Sequence, residues 1–264
     1  MKNNSFNNLH RWFNAIANFN ESDVAGQIIA VEMLDEEDNG KRMQTVKRHE
    51  YSKIRRGIIE QDDRDFTDSL LETGVRCGSA ALLPKDRVFL ETERIEIPWF
   101  INKGKIHSYE VNIDARIFDT FARRVTDDKL AYKAFLRLPK MIQYRIQESG
   151  VDIDALIRRA NEFVFPMAVF YGPTRYVAHV RYVFRKSCDA NGIVDRRLHD
   201  LRRSFATERF RDTGDLAAVS KALGHRSIVT TERYLGLDES DIRDLFEPVV
   251  HSYSREQLEF IQYC

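Results

Sequence analysis

The spacing of apolar residues predicts a mostly helical chain with one short β region. Residues 1–46 begin with an amphipathic helical pattern and continue into an acidic patch at 35–38 and an Asn39-Gly40 turn signal. We therefore expect a short helical arm followed by a hinge. The apolar positions of the arm are Phe6, Leu9, Trp12, Phe13, Ile16 and Phe19.

After Lys47 the pattern becomes that of a long helical stretch, running from Tyr51 to Gly74. Gly74 follows the last periodic position, which is where a left-handed residue commonly ends a helix. The pattern predicts one helix here, with Gly74 as its C-cap.

Residues 87–113 alternate apolar and polar side chains, which is typical of strands. One run holds Ile95, Ile97, Trp99 and Ile101, and a second holds His107, Tyr109, Val111 and Ile113. Residues 102–105, Asn-Lys-Gly-Lys, separate the runs and predict a turn that carries two lysines. Pro98 cannot donate to a sheet ladder, so we expect the first run at a sheet edge.

From Asp114 onward the pattern is helical, and Pro173 is predicted to start a helix. Further on, the next helix buries the stripe formed by Leu198, Leu201 and Phe205. His199 and Arg202 then lie together on a neighbouring face. The predicted fold class is α+β, mainly α, with a small antiparallel β-sheet.

The last helices are marked by their caps. Asp215 is predicted to cap one helix, which Gly224 ends. His225 would then lie just beyond a helix end. Ser227 is in position to cap the following helix, which carries Tyr234.

Composition fits an ordinary globular protein, with 43% hydrophobic and 11% aromatic residues in 264. No apolar run approaches the ~20 residues that cross a bilayer, and the N-terminus has no apolar signal region. We expect a cytoplasmic protein with no membrane partner. Cys77, Cys188 and Cys264 contain no C-x-x-C pair and are interpreted as free thiols in a reducing compartment.

Charge is balanced overall but not along the chain. The 41 basic and 41 acidic residues cancel. Residues 175–236, however, carry 13 Arg and Lys against 7 Asp and Glu, and residues 237–264 carry 2 against 7. The basic segment favours a nucleic-acid partner more than the net charge does.

Three motifs lie in or before this basic segment. They are T73-G-V-R76, H199-D-L-R202 and L223-G-H-R-S-I-V-T-T-E-R-Y234, in which the tyrosine follows His225 by nine positions. In this order they resemble the catalytic domain of the tyrosine recombinases, the phage-integrase family of site-specific DNA recombinases. The resemblance covers about residues 47–246, preceded by the arm of residues 1–46 and followed by a tail of residues 247–264.

The resemblance implies a role for each motif residue in cutting a DNA phosphodiester. Tyr234 resembles the nucleophile that forms a 3′-phosphotyrosyl link. Arg76 and Arg202 resemble the clamp on the nonbridging oxygens, a role for which guanidinium forks are suited. His199 resembles the proton acceptor, and His225 resembles a donor to the phosphate.

Lys103, in the predicted turn, resembles the general acid that protonates the 5′-oxygen. Lys105 competes for this assignment, because a small shift in the turn would exchange the two lysines. We favour Lys103.

Two features depart from the family pattern. The family commonly has an acidic residue three positions after the first arginine, where this chain has Ser79, so another group is expected to orient Arg76. Many members also carry a helical DNA-clamping domain of ~100 residues before the catalytic one. The short arm here implies that the chain grips double-stranded DNA from one side or relies on an accessory DNA-bending protein.

The resemblance further implies strand exchange through a Holliday junction by a tetramer on two DNA sites. The C-terminal tail would dock on a neighbouring protomer or pack in cis, and the sequence favours neither. No metal-ligand cluster and no phosphate-binding Gly-rich loop is found, so we expect no cofactor. Two alternatives stay open: relaxation of DNA by a type IB topoisomerase, and a non-cutting architectural DNA-binding protein of the same fold.

Overall fold

The computed structural model describes residues 44–102, 107–225, 228–232 and 235. The expected N-terminal helical arm, the acidic patch and the C-terminal tail lie outside these residues and stay predictions. The described part is mainly helical, with one small antiparallel sheet, which confirms the predicted fold class.

Three helices open the described chain: α1 (Arg48–Gly57), α2 (Gln61–Thr73) and α3 (Cys77–Ala81). The prediction of one helix from Tyr51 to Gly74 was wrong. The backbone is extended at Ile58 and at Glu60, and this separates α1 from α2. Gly57 is a poor helix former, and a Cβ there would lie 2.2 Å from Ser187 Oγ. The first helix therefore ends where Gly57 packs closely against Ser187 of a later helix.

Gly74 ends α2 as predicted. It is left-handed (φ 63°), and its N–H donates to Leu70 O at 3.0 Å. A Cβ on Gly74 would lie 2.3 Å from the ring of Phe205. Glycine is thus required here by backbone conformation and by space.

The sheet contains β1 (Val88–Phe89), β2 (Arg94–Ile97) and β3 (Tyr109–Asn112), antiparallel and in that order. Ile95 pairs with Val111 and Ile97 with Tyr109, and all four side chains are buried. The expectation that Pro98 lies in an edge strand is wrong. It immediately follows the central strand β2, which ends there because proline has no N–H for the ladder.

In the part of the chain that the structure describes, six helices lie between the sheet and residue 191. They are α4 (Ala115–Thr126), α5 (Leu130–Arg137), α6 (Lys140–Glu148), α7 (Ile153–Ala160), α8 (Met167–Tyr171) and α9 (Pro173–Ala190). Asp114 caps α4 by accepting from the Arg116 N–H, and Pro173 is the first residue of α9, as predicted. The main core lies between these helices, α2 and the sheet.

A buried ion network joins α2 to α4. Arg124 is 1% exposed and donates to Asp65 Oδ2 at 2.6 Å, Asp62 Oδ1 at 3.0 Å and Val164 O at 2.8 Å. Since a buried charge is costly without such partners, these contacts fix the two helices relative to each other.

The described chain ends with α10 (Asp200–Thr213), α11 (Leu216–Ala222) and α12 (Ile228–Glu232). Leu198, Leu201 and Phe205 are buried as predicted. Asp215 caps α11 by accepting from the N–H groups of Ala217 and Ala218. The predicted Ser227 cap lies outside the described residues.

Candidate active site

Arg76 occupies the N-cap position of α3, two residues beyond the left-handed Gly74. Because Gly74 packs directly on Phe205 of α10, the connection between α2 and α3 is held against the helix that carries the second motif. The partly exposed Arg76 donates from Nη1 to Asn102 Oδ1 at 3.1 Å. The partner that the sequence left open for this arginine is therefore Asn102.

Arg202 lies on α10 and is 2% exposed. Its Nη1 donates to Gly74 O, and its Nη2 donates to Leu223 O at 2.6 Å. Both acceptors are main-chain oxygens at helix ends. They orient the guanidinium without cancelling its charge, because a carbonyl is neutral.

His225 follows Gly224, whose φ of 63° ends the turn after α11. Its Nε2 lies 3.1 Å from Arg202 Nη2, and its Nδ1 lies 3.0 Å from Thr231 Oγ1. The guanidinium can only donate, so Nε2 is the acceptor and the ring proton is assigned to Nδ1, which donates to Thr231. Thr231 is fully buried and holds the imidazole in this tautomer.

The pKa of His225 is lowered to about 3, first by desolvation and then by the charges of Arg202 and Arg76, with a contribution from His199. The imidazole is therefore neutral at physiological pH. A phosphate between these groups would oppose the arginine charges and favour the protonated ring.

His199 precedes α10, and its side chain is exposed. Its pKa is lowered to about 4, first by desolvation and then by Arg202, Arg203, Arg76 and Arg181. Because solvent still reaches the ring, we attribute more of this shift to the arginine charges than to burial. A neutral imidazole can accept a proton.

These four residues come from three separate segments, and the structure brings them together around one region of positive charge. Arg76 and Arg202 both lower the pKa of both histidines, so both lie near His199 and His225. Such a region is suited to a phosphodiester, whose nonbridging oxygens are anionic acceptors.

Lys103, Lys105 and Tyr234 lie outside the described residues. The chain on either side of residues 103–106 is described, and Asn102 Nδ2 donates across it to His107 O at 3.1 Å. Leu235, which follows Tyr234 in the chain, is buried in a small cluster with Phe205, Ala206, Val219 and Leu223.

Sequence reasoning missed Asn102 and Thr231. Thr231 sits six positions after His225 within the third motif, so its position was visible, although its partner was not. Asn102 immediately precedes Lys103, but its contact with Arg76 spans 26 positions. Residue patterns carry no direct signal for such a contact.

A model of the phage integrase family matches residues 34–241, well over half of the chain. The chain belongs to this family, the tyrosine recombinases. The region matched contains all of the motif residues named above and both lysines, Lys103 and Lys105.

Among curated relatives, a probable integrase/recombinase YoeC of Bacillus subtilis is 24% identical over 164 residues, 56% of this chain and 87% of that protein. The tyrosine recombinase XerC of Nitrobacter winogradskyi is 37% identical over 76 residues, 28% of this chain and 23% of that protein.

Solved structures share the fold. XerA recombinase matches with a TM-score of 0.54 at 19% identity, covering 77% of this chain and 64% of that one. The Tn1549 transposon integrase, in complex with circular intermediate DNA, matches with a TM-score of 0.51 at 18% identity, covering 80% and 67%.

Two further observations concern the described residues alone. No helix among them is long and apolar enough to cross a membrane. No group of three or more His, Cys, Asp or Glu side chains there is placed to hold a metal ion.

Proposed function

We propose that this protein is a site-specific DNA recombinase that cuts and rejoins double-stranded DNA through a 3′-phosphotyrosyl intermediate on Tyr234. The observation that carries the proposal is the assembly of Arg76, Arg202, His199 and His225 around one positive region. Two arginines held beside two neutral imidazoles are better explained by an anionic ligand than by a solvated surface.

The phenol oxygen of Tyr234 attacks phosphorus, and the bond from phosphorus to the 5′-oxygen breaks. The phenol proton passes to His199, which is neutral and able to accept it. Lys103 gives a proton to the departing 5′-oxygen. Attack by a free 5′-hydroxyl on the phosphotyrosine reverses these steps and joins the strand.

Arg76 and Arg202 hold the nonbridging oxygens during this exchange. Asn102 orients Arg76, and two main-chain carbonyls orient Arg202; donors oriented in advance stabilise a developing charge strongly. His225 assists once the phosphate is bound, because the anion raises the pKa of the ring and Nε2 then carries a proton to donate.

DNA contact is supported by charge on α9. Its exposed face carries the basic residues Arg175, Arg181, Arg185 and Lys186, and such a stripe suits a phosphate backbone. The Tn1549 integrase is described in complex with DNA, and XerH recombinase with a difH substrate after cleavage.

Exchange between two sites would involve a tetramer on two duplexes and a Holliday junction. In this scheme residues 47–246 form the catalytic domain and residues 1–46 the arm. Residues 247–264 dock on a neighbour or pack in cis. An accessory DNA-bending protein is a further partner in this proposal.

The test is covalent capture on a nicked suicide duplex, in which the cut strand diffuses away before it can be rejoined. In excess EDTA, wild type should form a protein–DNA adduct, and Tyr234→Phe should bind DNA yet form none, since only one hydroxyl is lost. Tyr253→Phe and Tyr263→Phe are the matched controls. An adduct that persists in Tyr234→Phe, or its absence in wild type, refutes the proposal.

A second assay separates recombination from the topoisomerase alternative. Two marked duplexes should yield a Holliday junction. Relaxation of a supercoiled plasmid without any junction would favour the topoisomerase.

A further inference from the structure

We infer that Asn102 is a positioning residue that fixes Arg76 relative to residues 102 and 107, which flank the segment containing both lysines. This inference rests on the proposed function, because it concerns how the same site is assembled. It goes beyond the three sequence motifs, because Asn102 is not part of any of them.

Asn102 ends the turn that follows β2, with its N–H directed to Pro98 O and Trp99 O. It is only 4% exposed. A buried amide is costly unless both of its ends are hydrogen-bonded, and here both ends are used.

The two ends reach different parts of the site. Oδ1 accepts from Arg76 Nη1 at 3.1 Å, and Nδ2 donates to His107 O at 3.1 Å. The orientation of the amide is fixed by its partners, since a guanidinium only donates and a carbonyl only accepts. One side chain therefore orients Arg76 and also joins residue 102 to residue 107, the described residues on either side of Lys103 and Lys105.

Ser79 strengthens the same link. Its hydroxyl donates to Ile101 O at 2.9 Å, so α3 is tied both to residue 101 and, through Arg76, to residue 102. Ser79, at the position where the family commonly has an acidic residue, thus anchors residue 101, and Asn102 orients the arginine.

The neutrality of the amide has a chemical consequence. A carboxylate in this place would pair with Arg76 and, being adjacent to Lys103, would also attract the lysine. Both cations are needed by the scissile phosphate. An amide orients the arginine without competing with the phosphate for its charge.

The experiment measures single-turnover adduct formation on three nicked duplexes. One has a normal scissile phosphate, one a 5′-bridging sulfur, and one a nonbridging methyl group. Sulfur leaves without a proton and so relieves the demand for the acid. The methyl group removes the negative charge that the arginines offset. Each rate is compared with that of wild type on the same DNA.

Asn102→Leu should be about 10- to 100-fold slower than wild type on normal DNA, the scale expected for misplaced reacting groups. It should recover in part on each analogue, because each relieves one of the two lost functions. Asn102→Asp keeps an acceptor for Arg76 but loses the donor to His107 O. Its carboxylate also competes with the phosphate for the charge of Arg76, so it too should be slow on normal DNA and recover in part on each analogue, and it serves as the second variant if Asn102→Leu does not fold.

Asn161→Leu is the matched control. Asn161 Oδ1 also joins two segments, accepting from Lys85 and from the Ala131 N–H, but it lies outside the site described here. Its loss should not change the relative rates on the three DNAs.

The inference is overturned if both Asn102 variants cleave at the wild-type rate, or if they slow equally on all three DNAs. Absence of any adduct from wild type would be a different result. It would refute the proposed function and, with it, the role given to Asn102.

Discussion

Thr231→Val should slow cleavage while leaving DNA binding nearly intact. Valine has the shape of threonine, so the fully buried site keeps its packing and loses only the hydroxyl. That hydroxyl lies 3.0 Å from His225 Nδ1. The ring then has a half-buried N–H without its partner, both when neutral and when protonated by the approach of a phosphate.

The size of the effect follows from the cost of the lost hydrogen bond. A buried donor left without its acceptor costs about 1–3 kcal/mol. If that cost falls on the protonated ring that assists the reaction, cleavage slows on the order of 5- to 150-fold. The charged ring loses more than the neutral one, so any step that needs the imidazolium should shift to lower pH.

The assay is single-turnover adduct formation on a nicked duplex from pH 5 to 8, with affinity measured separately. Thr230→Val is the matched control, since Thr230 is the exposed neighbour on the same helix. A wild-type rate and pH profile in Thr231→Val would refute this role for the hydroxyl. Equal slowing in both variants would refute it as well.

Three further predictions concern the histidine, the lysines and a glycine. Because the pKa of His225 is lowered to about 3, the folded protein binds fewer protons than the unfolded chain below about pH 6.5. The free energy of unfolding should therefore fall as pH drops from 6.5 towards 4, and chemical denaturation of His225→Gln should show a shallower fall; an equal slope would contradict this. Lys103→Ala should be severely slow on normal DNA and recover on the 5′-bridging sulfur substrate, whereas Lys105→Ala should show little recovery; the reverse result would exchange their roles. Gly224→Ala should lower the denaturation midpoint, because φ is 63° and the new Cβ would lie 2.5 Å from the Tyr109 ring. The left-handed backbone alone costs about 1–2 kcal/mol, and an unchanged midpoint would mean that the turn relaxes freely.

Features decided by neighbouring residues could be predicted from the sequence. Gly74 and Asp215 were correctly assigned as helix ends, because left-handed turns and caps depend on a few adjacent positions. The break after Gly57 was missed because the space beside it is filled by Ser187, which is 130 positions away in the chain. Pro98 was placed at a sheet edge when it in fact ends a central strand.

The candidate site divides along the same line. The motifs predicted that Arg76, His199, Arg202 and His225 would meet, and the structure brings them together. The groups that orient them were not predictable. Gly74 O and Leu223 O are main-chain atoms that any residue would supply, and Asn102 acts across 26 positions.

Those two carbonyl acceptors matter for anyone who wishes to retarget the protein to a new DNA sequence. A main-chain oxygen is present whatever side chain the residue bears, so the hydrogen bond from Arg202 to Leu223 O does not require a leucine there. The position of Arg202 depends instead on where α2 and α11 end. Libraries that vary the exposed face of α9 leave both hydrogen bonds of Arg202 intact, whereas a replacement at Gly74 or Gly224 would displace a carbonyl that orients Arg202.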